Sequence, residues 1–317
     1  MKKHKYAIYS SFGILILMIL LIGYGFIMDG KTQEAPINLS ILVYGNDSER
    51  WISLKQGAEQ AEKDNNVIIN YVTTSVEESP GEQKLQIQRE IANGAKGILI
   101  AASDSTKLEE TVAELVQKVP IIMIETGVNN VETLEYLSAD NFKMGENLAD
   151  TIKKDDSEQK VAVILEHLQR DSVRKRRQGL VESLRGMDVV YWESMESTIT
   201  NLSNFKEMLT KNKVDSVVAL DNSTLEKLID MVTAENLNVK VYGIGSTDKV
   251  VYYLDKGVIQ SIVFQNEFSI GYLGIEKLYH KITNDAIGET PEIEYRVIDK
   301  STMYTRDNQR LLFPQVE

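Results

Sequence analysis

The chain contains no cysteine, which excludes structural disulfides, thiolate metal sites, a cysteine nucleophile and a lipid-modified cysteine anchor. Histidine is nearly as scarce. His4, His167 and His280 stand far apart and form no ligand spacing such as H-x-x-x-H, so each reads as a structural or solvated side chain. No metal site and no cofactor are expected. Positive charge is in deficit as well: a formal net charge of -12 over 317 residues argues against nucleic acid or an anionic membrane surface as the main partner.

The usual signatures of chemistry are also missing. "YGIGSTD" holds only Gly243-x-Gly245, lacks a third glycine and falls late in the chain, which makes it a poor dinucleotide cradle. No G-x-x-x-x-G-K-[ST] and no G-x-S-x-G occurs, so neither phosphoryl transfer nor an α/β-hydrolase triad has its parts. The chain does not read as an enzyme.

What is present begins at the N-terminus. After the basic residues 1–5, "MKKHK", residues 6–28 carry no charge, and as a helix they would reach roughly 34 Å, against about 30 Å for a bilayer core. Lys2, Lys3 and Lys5 before this run and Asp29 after it place the N-terminus inside and the bulk of the chain outside. A cleaved signal peptide, cut near Gly23 and Gly25, is the competing reading, but the run is long and no A-x-A follows it. The expectation is a single-pass anchor in the cell membrane with an extracytoplasmic body, joined by a polar tether over 29–36.

From Ile37 onward, apolar runs alternate with amphipathic segments, the pattern of a parallel α/β sheet. The first half offers "LSILVY", "VIINYV", "GILIAA", "PIIMIE" and "YLSAD"; the second offers "KVAVILE", "DVVYW", "SVVAL", "VKVYGIG" and "IQSIVFQ". Between them, Trp51, Leu54, Ala58 and Ala61 share one helical stripe, as do Leu108, Val112, Leu115 and Val116. Two doubly wound lobes of about five strands each follow, with function expected in a cleft at the carboxyl ends of the strands.

The residues that close the strands include Glu125, Asp221, Asn222 and Gln265, types able to make paired hydrogen bonds to neighbouring hydroxyls. Each is also open to reading as a helix cap, Asn222 most of all. The basic run "RDSVRKRRQG" follows a strand directly; most of it reads as a solvated helix face, with one inward arginine, for which Arg174 is the candidate.

The ordered motifs "RWISLKQGAEQAEKD", "GAKGILIAASDS", "VPIIMIETG", "SADNFKMGENLADTI", "RKRRQGL", "VVALDN", "VYGIGSTD" and "YLDKGVIQSIVFQNEFSIGYLGIE" resemble the type I periplasmic binding proteins, the ribose- and galactose-binding group that also supplies the ligand domain of lac-repressor-type regulators. The resemblance spans about Ile37 to Tyr304. It implies a ligand clamped between two lobes joined by a three-segment hinge, with residues 37–139 and 266–294 in the first lobe and 140–265 and 295–317 in the second. It also implies ligand contacts at Ser48, Arg50, Trp51, Glu125, Thr126, Arg174, Trp192, Asp221, Asn222, Gly245 and Gln265. Arg50, Thr126 and Gly245 depart from the family pattern, where an aromatic, an arginine and an aspartate are usual; ribose itself is therefore doubtful as ligand. Because a membrane segment stands where a repressor would carry a helix-turn-helix, the expected role is an extracellular solute-binding protein for a small carbohydrate. Its partner would be the permease of an ABC importer or, alternatively, a membrane sensor histidine kinase.

Overall fold

The computed structural model describes residues 16–19, 35–47, 49–131, 134–193, 202–285 and 291–314, and residues 37–317 form one compact unit. Of the expected membrane segment 6–28, only the helical residues 16–19 are among those described; the rest of it, the tether up to residue 34, and Ser48 lie outside them. Among the described residues no helix is long and apolar enough to cross a membrane.

The first sheet takes β1 (Ile37–Val43), β2 (Val67–Thr73), β3 (Gly97–Ile100), β4 (Ile121–Ile124) and β5 (Glu135–Leu137) in the order β2-β1-β3-β4-β5, all parallel. β3 and β4, "GILI" and "IIMI", are buried at every position, as strands covered on both faces must be. One face is covered by α1 (Ile52–Asp64) and, from much later in the chain, α9 (Glu267–Thr283); the other is covered by α2 (Pro80–Ala92) and α3 (Glu109–Leu115). The stripe Leu54, Ala58 and Ala61 of α1 is wholly buried, which is what its spacing predicts.

The second sheet takes β6 (Val161–Leu165), β7 (Val189–Glu193), β8 (Ser216–Ala219), β9 (Lys240–Ile244), β10 (Ile259–Gln265) and β11 (Tyr295–Asp299) in the order β11-β10-β9-β8-β6-β7. All pairs are parallel except the edge pair β10–β11. β11 is an addition to the ten strands that the sequence pattern picks out. Helices α4 (Asn141–Asp155) and α5 (Asp171–Ser183) cover one face; α6 (Leu202–Asn212), α7 (Asn222–Ala234), α8 (Asp248–Asp255) and α10 (Arg306–Leu312) contribute to the core on the other.

The two sheet-and-helix layers, here called lobes, use the same device at their inner helix pairs. A Cβ on Gly57 would lie 2.0 Å from the Phe268 carbonyl oxygen, and one on Gly145 would lie 1.9 Å from the Arg176 carbonyl oxygen, so α1 meets α9 and α4 meets α5 backbone to backbone. These contacts fix how each inner helix is rotated, and therefore which of its side chains face the space between the sheets. The chain leaves the first lobe after β5, returns after β10 and leaves again after α9.

Candidate functional site

The loop after β1 turns through a short 3-10 segment, Glu49–Trp51, into α1. Trp51 is 1% exposed: its indole Nε1 donates to the Tyr44 carbonyl at 3.0 Å and its ring meets the Tyr44 ring edge to face at 5.0 Å. It is a core residue with no free face. Arg50 lies over that indole, 4.3 Å from the ring centre, and its Nη1 donates to both carboxylate oxygens of Glu267 at 2.7 Å. Burial alone would weaken the Arg50 charge, but Glu267, Tyr44 and Glu125 hold the guanidinium more firmly protonated than usual.

Glu125 ends β4 with φ at 58°, a backbone region that side chains seldom adopt, and is 1% exposed. Its carboxylate accepts from the Tyr44 hydroxyl at 3.0 Å and from Arg176 Nη2 at 3.1 Å, with Arg50 Nη2 3.9 Å away. Thr126 beside it is fully buried, its hydroxyl 3.5 Å from the backbone N–H of Ser172. Arg176 comes from α5 in the other lobe. It also donates from Nε to Asn141 Oδ1 at 2.7 Å and from Nη1 to the Leu220 carbonyl at 3.2 Å.

Two arginines of the basic run turn inward, Arg170 at 1% and Arg176 at 4% exposure, and Arg174 is not one of them. The side chain of Arg174 is 36% exposed and donates to the Leu168 and Gln169 carbonyls, to Asn129 and to Asp171. The reason is helical phase. Ser172, Val173, Arg176, Gly179 and Leu180 form the buried stripe of α5, and Gly179 is pressed against α4; Arg174 is off that stripe.

Gln265 closes β10 at 4% exposure. Its Oε1 accepts from the Ala139 N–H at 3.1 Å and the Ser138 hydroxyl at 3.2 Å, where the chain passes between lobes, while its Nε2 is buried without a partner. Asn141 Nδ2 donates to Ser138 Oγ at 2.9 Å, so the crossing strands and Arg176 share one hydrogen-bonded network.

Asp221 is the N-cap of α7, accepting from the Thr224 N–H at 3.0 Å and from the Ser223 and Thr224 hydroxyls at 2.8 Å. Burial pushes its carboxyl up, but His167, Arg170 and these hydrogen bonds outweigh that and hold it at about 2. Asn222 reaches across instead, its Oδ1 accepting from the Ser246 N–H at 2.9 Å. A Cβ on Gly245 would sit 2.3 Å from that same oxygen, so Asn222 occupies the space that a side chain at position 245 would need. Trp192 is placed elsewhere: it is 4% exposed and packs edge to face on Phe205 at 6.0 Å inside the second lobe.

A second set of bonds spans the lobes nearby. Glu77, after β2, accepts from Arg170 Nη2 at 2.6 Å and from Ser223 Oγ at 3.2 Å, and His167 Nδ1 lies 3.0 Å from Glu78 Oε1. Arg170 is 1% exposed and stacks 3.8 Å over the Tyr44 ring. Arg176, Arg170, Glu267, Asn141 and Glu77 were not among the residues that the sequence singles out as ligand contacts. For Arg176 a signal existed in the stripe Val173–Leu180; for Glu267 none did.

Two adjacent cavities remain. The deep one, about 10 Å³, has room for little more than a water and is lined by Arg50, Met144, Arg176, Asn222, Gly245 and Gln265, among others. The outer one, about 350 Å³, shares Arg50, Asn222, Ser246 and Glu267 with it and lies within the range of small-molecule pockets, about 300–1,000 Å³. A larger hollow of about 970 Å³ runs along the crossing segments, past Tyr136, Ser138, Lys277 and Tyr295. Among the described residues no cluster of histidine and carboxylate groups fit to hold a metal ion is present.

Two doubly wound α/β lobes, linked by three chain crossings and meeting over a buried polar cleft, define a two-lobed ligand clamp. The chain belongs to the periplasmic binding protein domain family, whose pattern matches residues 39–286. A carbohydrate transporter solute-binding protein from Agrobacterium radiobacter, solved with D-arabinose, is 23% identical and superposes with a TM-score of 0.81, over 88% of this chain and 100% of its own. An ABC transporter solute-binding protein from Agrobacterium vitis with bound D-fucose is 17% identical, with a TM-score of 0.79 over 87% and 100% of the two chains. Another from the same organism, bound with α-D-tagatopyranose, is 20% identical, with a TM-score of 0.77 over 88% and 100%. At these identities the likeness establishes the fold. Curated proteins yield no match to the sequence.

Proposed function

We propose that this protein is an extracytoplasmic solute-binding protein that closes its lobes over a small uncharged carbohydrate and presents the closed form to the permease of an ABC importer. The observation that carries this reading is the charge-assisted network across the cleft, in which Arg176 of one lobe meets Glu125 of the other and extends through Asn141 and Ser138 to Gln265 at the crossing strands. Such a cleft offers guanidinium, carboxylate and amide groups to a ring of hydroxyls and changes state as the lobes move. The ligands named for the similar structures support the class: D-arabinose, D-fucose and tagatopyranose.

Charge balance favours a neutral ligand over an anionic one. Arg50 is already neutralised by the bidentate bond to Glu267, and Arg176 by Glu125, so a bound anion would find no unpaired cation among these groups. We assign the apolar run 6–28 the role of anchor, which would hold the binding unit beside its permease.

The test is a thermal-shift screen of the detergent-solubilised full chain against neutral pentoses and hexoses, with sugar acids and amino sugars for contrast. A sugar at about 100 times its dissociation constant stabilises by about 2.7 kcal/mol, enough to raise the melting temperature visibly. Stabilisation by sugar acids alone, or by no sugar at all, would refute the reading.

A further inference from the structure

The carbohydrate reading leaves one part of the site unassigned. A sugar ring has hydroxyl edges and at least one apolar C–H face, and an aromatic or aliphatic surface is needed to take that face out of water. Neither tryptophan is free to do this: Trp51 is 1% exposed under Arg50, and Trp192 is 4% exposed against Phe205. Tyr44 and Phe264 are 4% and 2% exposed.

The outer cavity does have an apolar wall, from an unexpected quarter. Helix α10 buries Leu311 and Leu312 in the second lobe, and the residue that follows, Phe313, is held by a hydrogen bond from its N–H to the Gln309 carbonyl at 2.9 Å. With its backbone fixed, Phe313 is 51% exposed and lines the same 350 Å³ cavity as Arg50, Asn222 and Glu267. Ile52, the first residue of α1 and 43% exposed, lines it from the first lobe. Among the described residues lining the two cavities, Phe313 is the aromatic with accessible surface.

We propose that Phe313 and Ile52 are the apolar jaws of the site, receiving the C–H face of a carbohydrate whose hydroxyl edge lies on Arg50, Glu267, Asn222 and Ser246. The inference rests on the carbohydrate reading and relocates the ligand: its seat is the outer cavity, because side chains fill the deeper one. Specificity is then set by a residue outside the strand-end loops that the sequence motifs mark. Because the jaws come from opposite lobes, a ligand between them also favours closure.

The experiment is isothermal titration of the full chain, wild type and variants, with D-arabinose, D-fucose, D-tagatose, D-ribose, D-glucose and D-galactose. Phe313→Ala is expected to weaken the best-bound sugar about tenfold, equivalent to about 1.4 kcal/mol. Ile52→Ala should weaken it less, and Trp192→Phe should leave it within about twofold. Both jaw side chains are half exposed, so their loss does not threaten folding. In addition, Phe313→Trp should give an emission that shifts to the blue when sugar binds, a response that a merely structural residue would not show. Wild-type binding with Phe313→Ala unchanged, or a silent Phe313→Trp, would overturn the jaws while leaving the carbohydrate reading intact. If wild type binds none of these sugars, the carbohydrate reading fails and the jaws with it.

Discussion

The two guanidinium–carboxylate pairs at the centre of the cleft differ in what they join. Arg50 and Glu267 both belong to the first lobe, so their bidentate bond at 2.7 Å persists whether the lobes are apart or together. Arg176 and Glu125 come from opposite lobes, so their bond at 3.1 Å would break if the lobes moved apart. The first pair sets the character of the site by cancelling a charge within it. The second ties the site to lobe position. A binding protein needs both properties, and here they reside in separate side chains.

Removing the Arg176–Glu125 pair should have the largest effect. Arg176→Ala leaves the Glu125 carboxylate, 1% exposed, without its nearest cation and dependent on the Tyr44 hydroxyl and the more distant Arg50, so we expect a loss of about 3 kcal/mol in chemical denaturation together with loss of sugar binding. Replacing both partners, as in Glu125→Gln/Arg176→Met, should recover much of the stability but none of the binding. Equal losses in the single and double variants would mean that the two groups do not act as a pair.

Next in size is the helix cap on the second lobe. The carboxyl of Asp221 is held at about 2 against 3.8 when unperturbed, so its ionised form contributes about 2 kcal/mol above the unfolded value, and this is lost as pH falls through 2. Asp221→Asn keeps the capping acceptor and removes the charge. It should lower stability by about 2 kcal/mol at pH 7, with the gap from wild type closing as the pH approaches 2; a gap independent of pH would show that charge is not the cause.

The intralobe pair is tested through selectivity. Glu267→Gln leaves the Arg50 cation unmatched, and the ratio of D-galacturonate to D-galactose affinity should rise by about tenfold. No change in that ratio would mean Arg50 does not face the ligand. The smallest effect is steric: Gly245→Ala pushes on the Asn222 oxygen and should cost about 1 kcal/mol, recovered when Asn222→Ala is added. Without that recovery, some other contact limits position 245.

Of the eleven strands among the described residues, ten are legible as short runs rich in apolar residues, and the run is unbroken where both faces are buried, as in "GILI". β11, "YRVID", escaped because it is an antiparallel edge strand in which Ile298 alone is buried, so it carries no apolar run. The site was harder to read for a different reason. Motif order leads to the neighbourhood of an arginine, but helical phase decides which arginine turns in, and the stripe of Val173, Gly179 and Leu180 points to Arg176. Trp51 belongs to the stripe of Leu54 and Ala58, which was already sufficient to bury it. Glu267 and Phe313 carry no local mark, since each reaches the cleft only because α9 and α10 return to it from late in the chain.

The central claim, that ligand is held by lobe closure, can be read directly because the chain has no cysteine to interfere with labelling. Spin labels would be placed at Leu85→Cys on α2 and Tyr252→Cys on α8, both more than half exposed and one in each lobe, and the distance distribution measured by pulsed electron resonance with and without the sugar that binds best. The account predicts that saturating sugar shifts the distribution to shorter distances and narrows it. A bound sugar that leaves the distribution unchanged would contradict it.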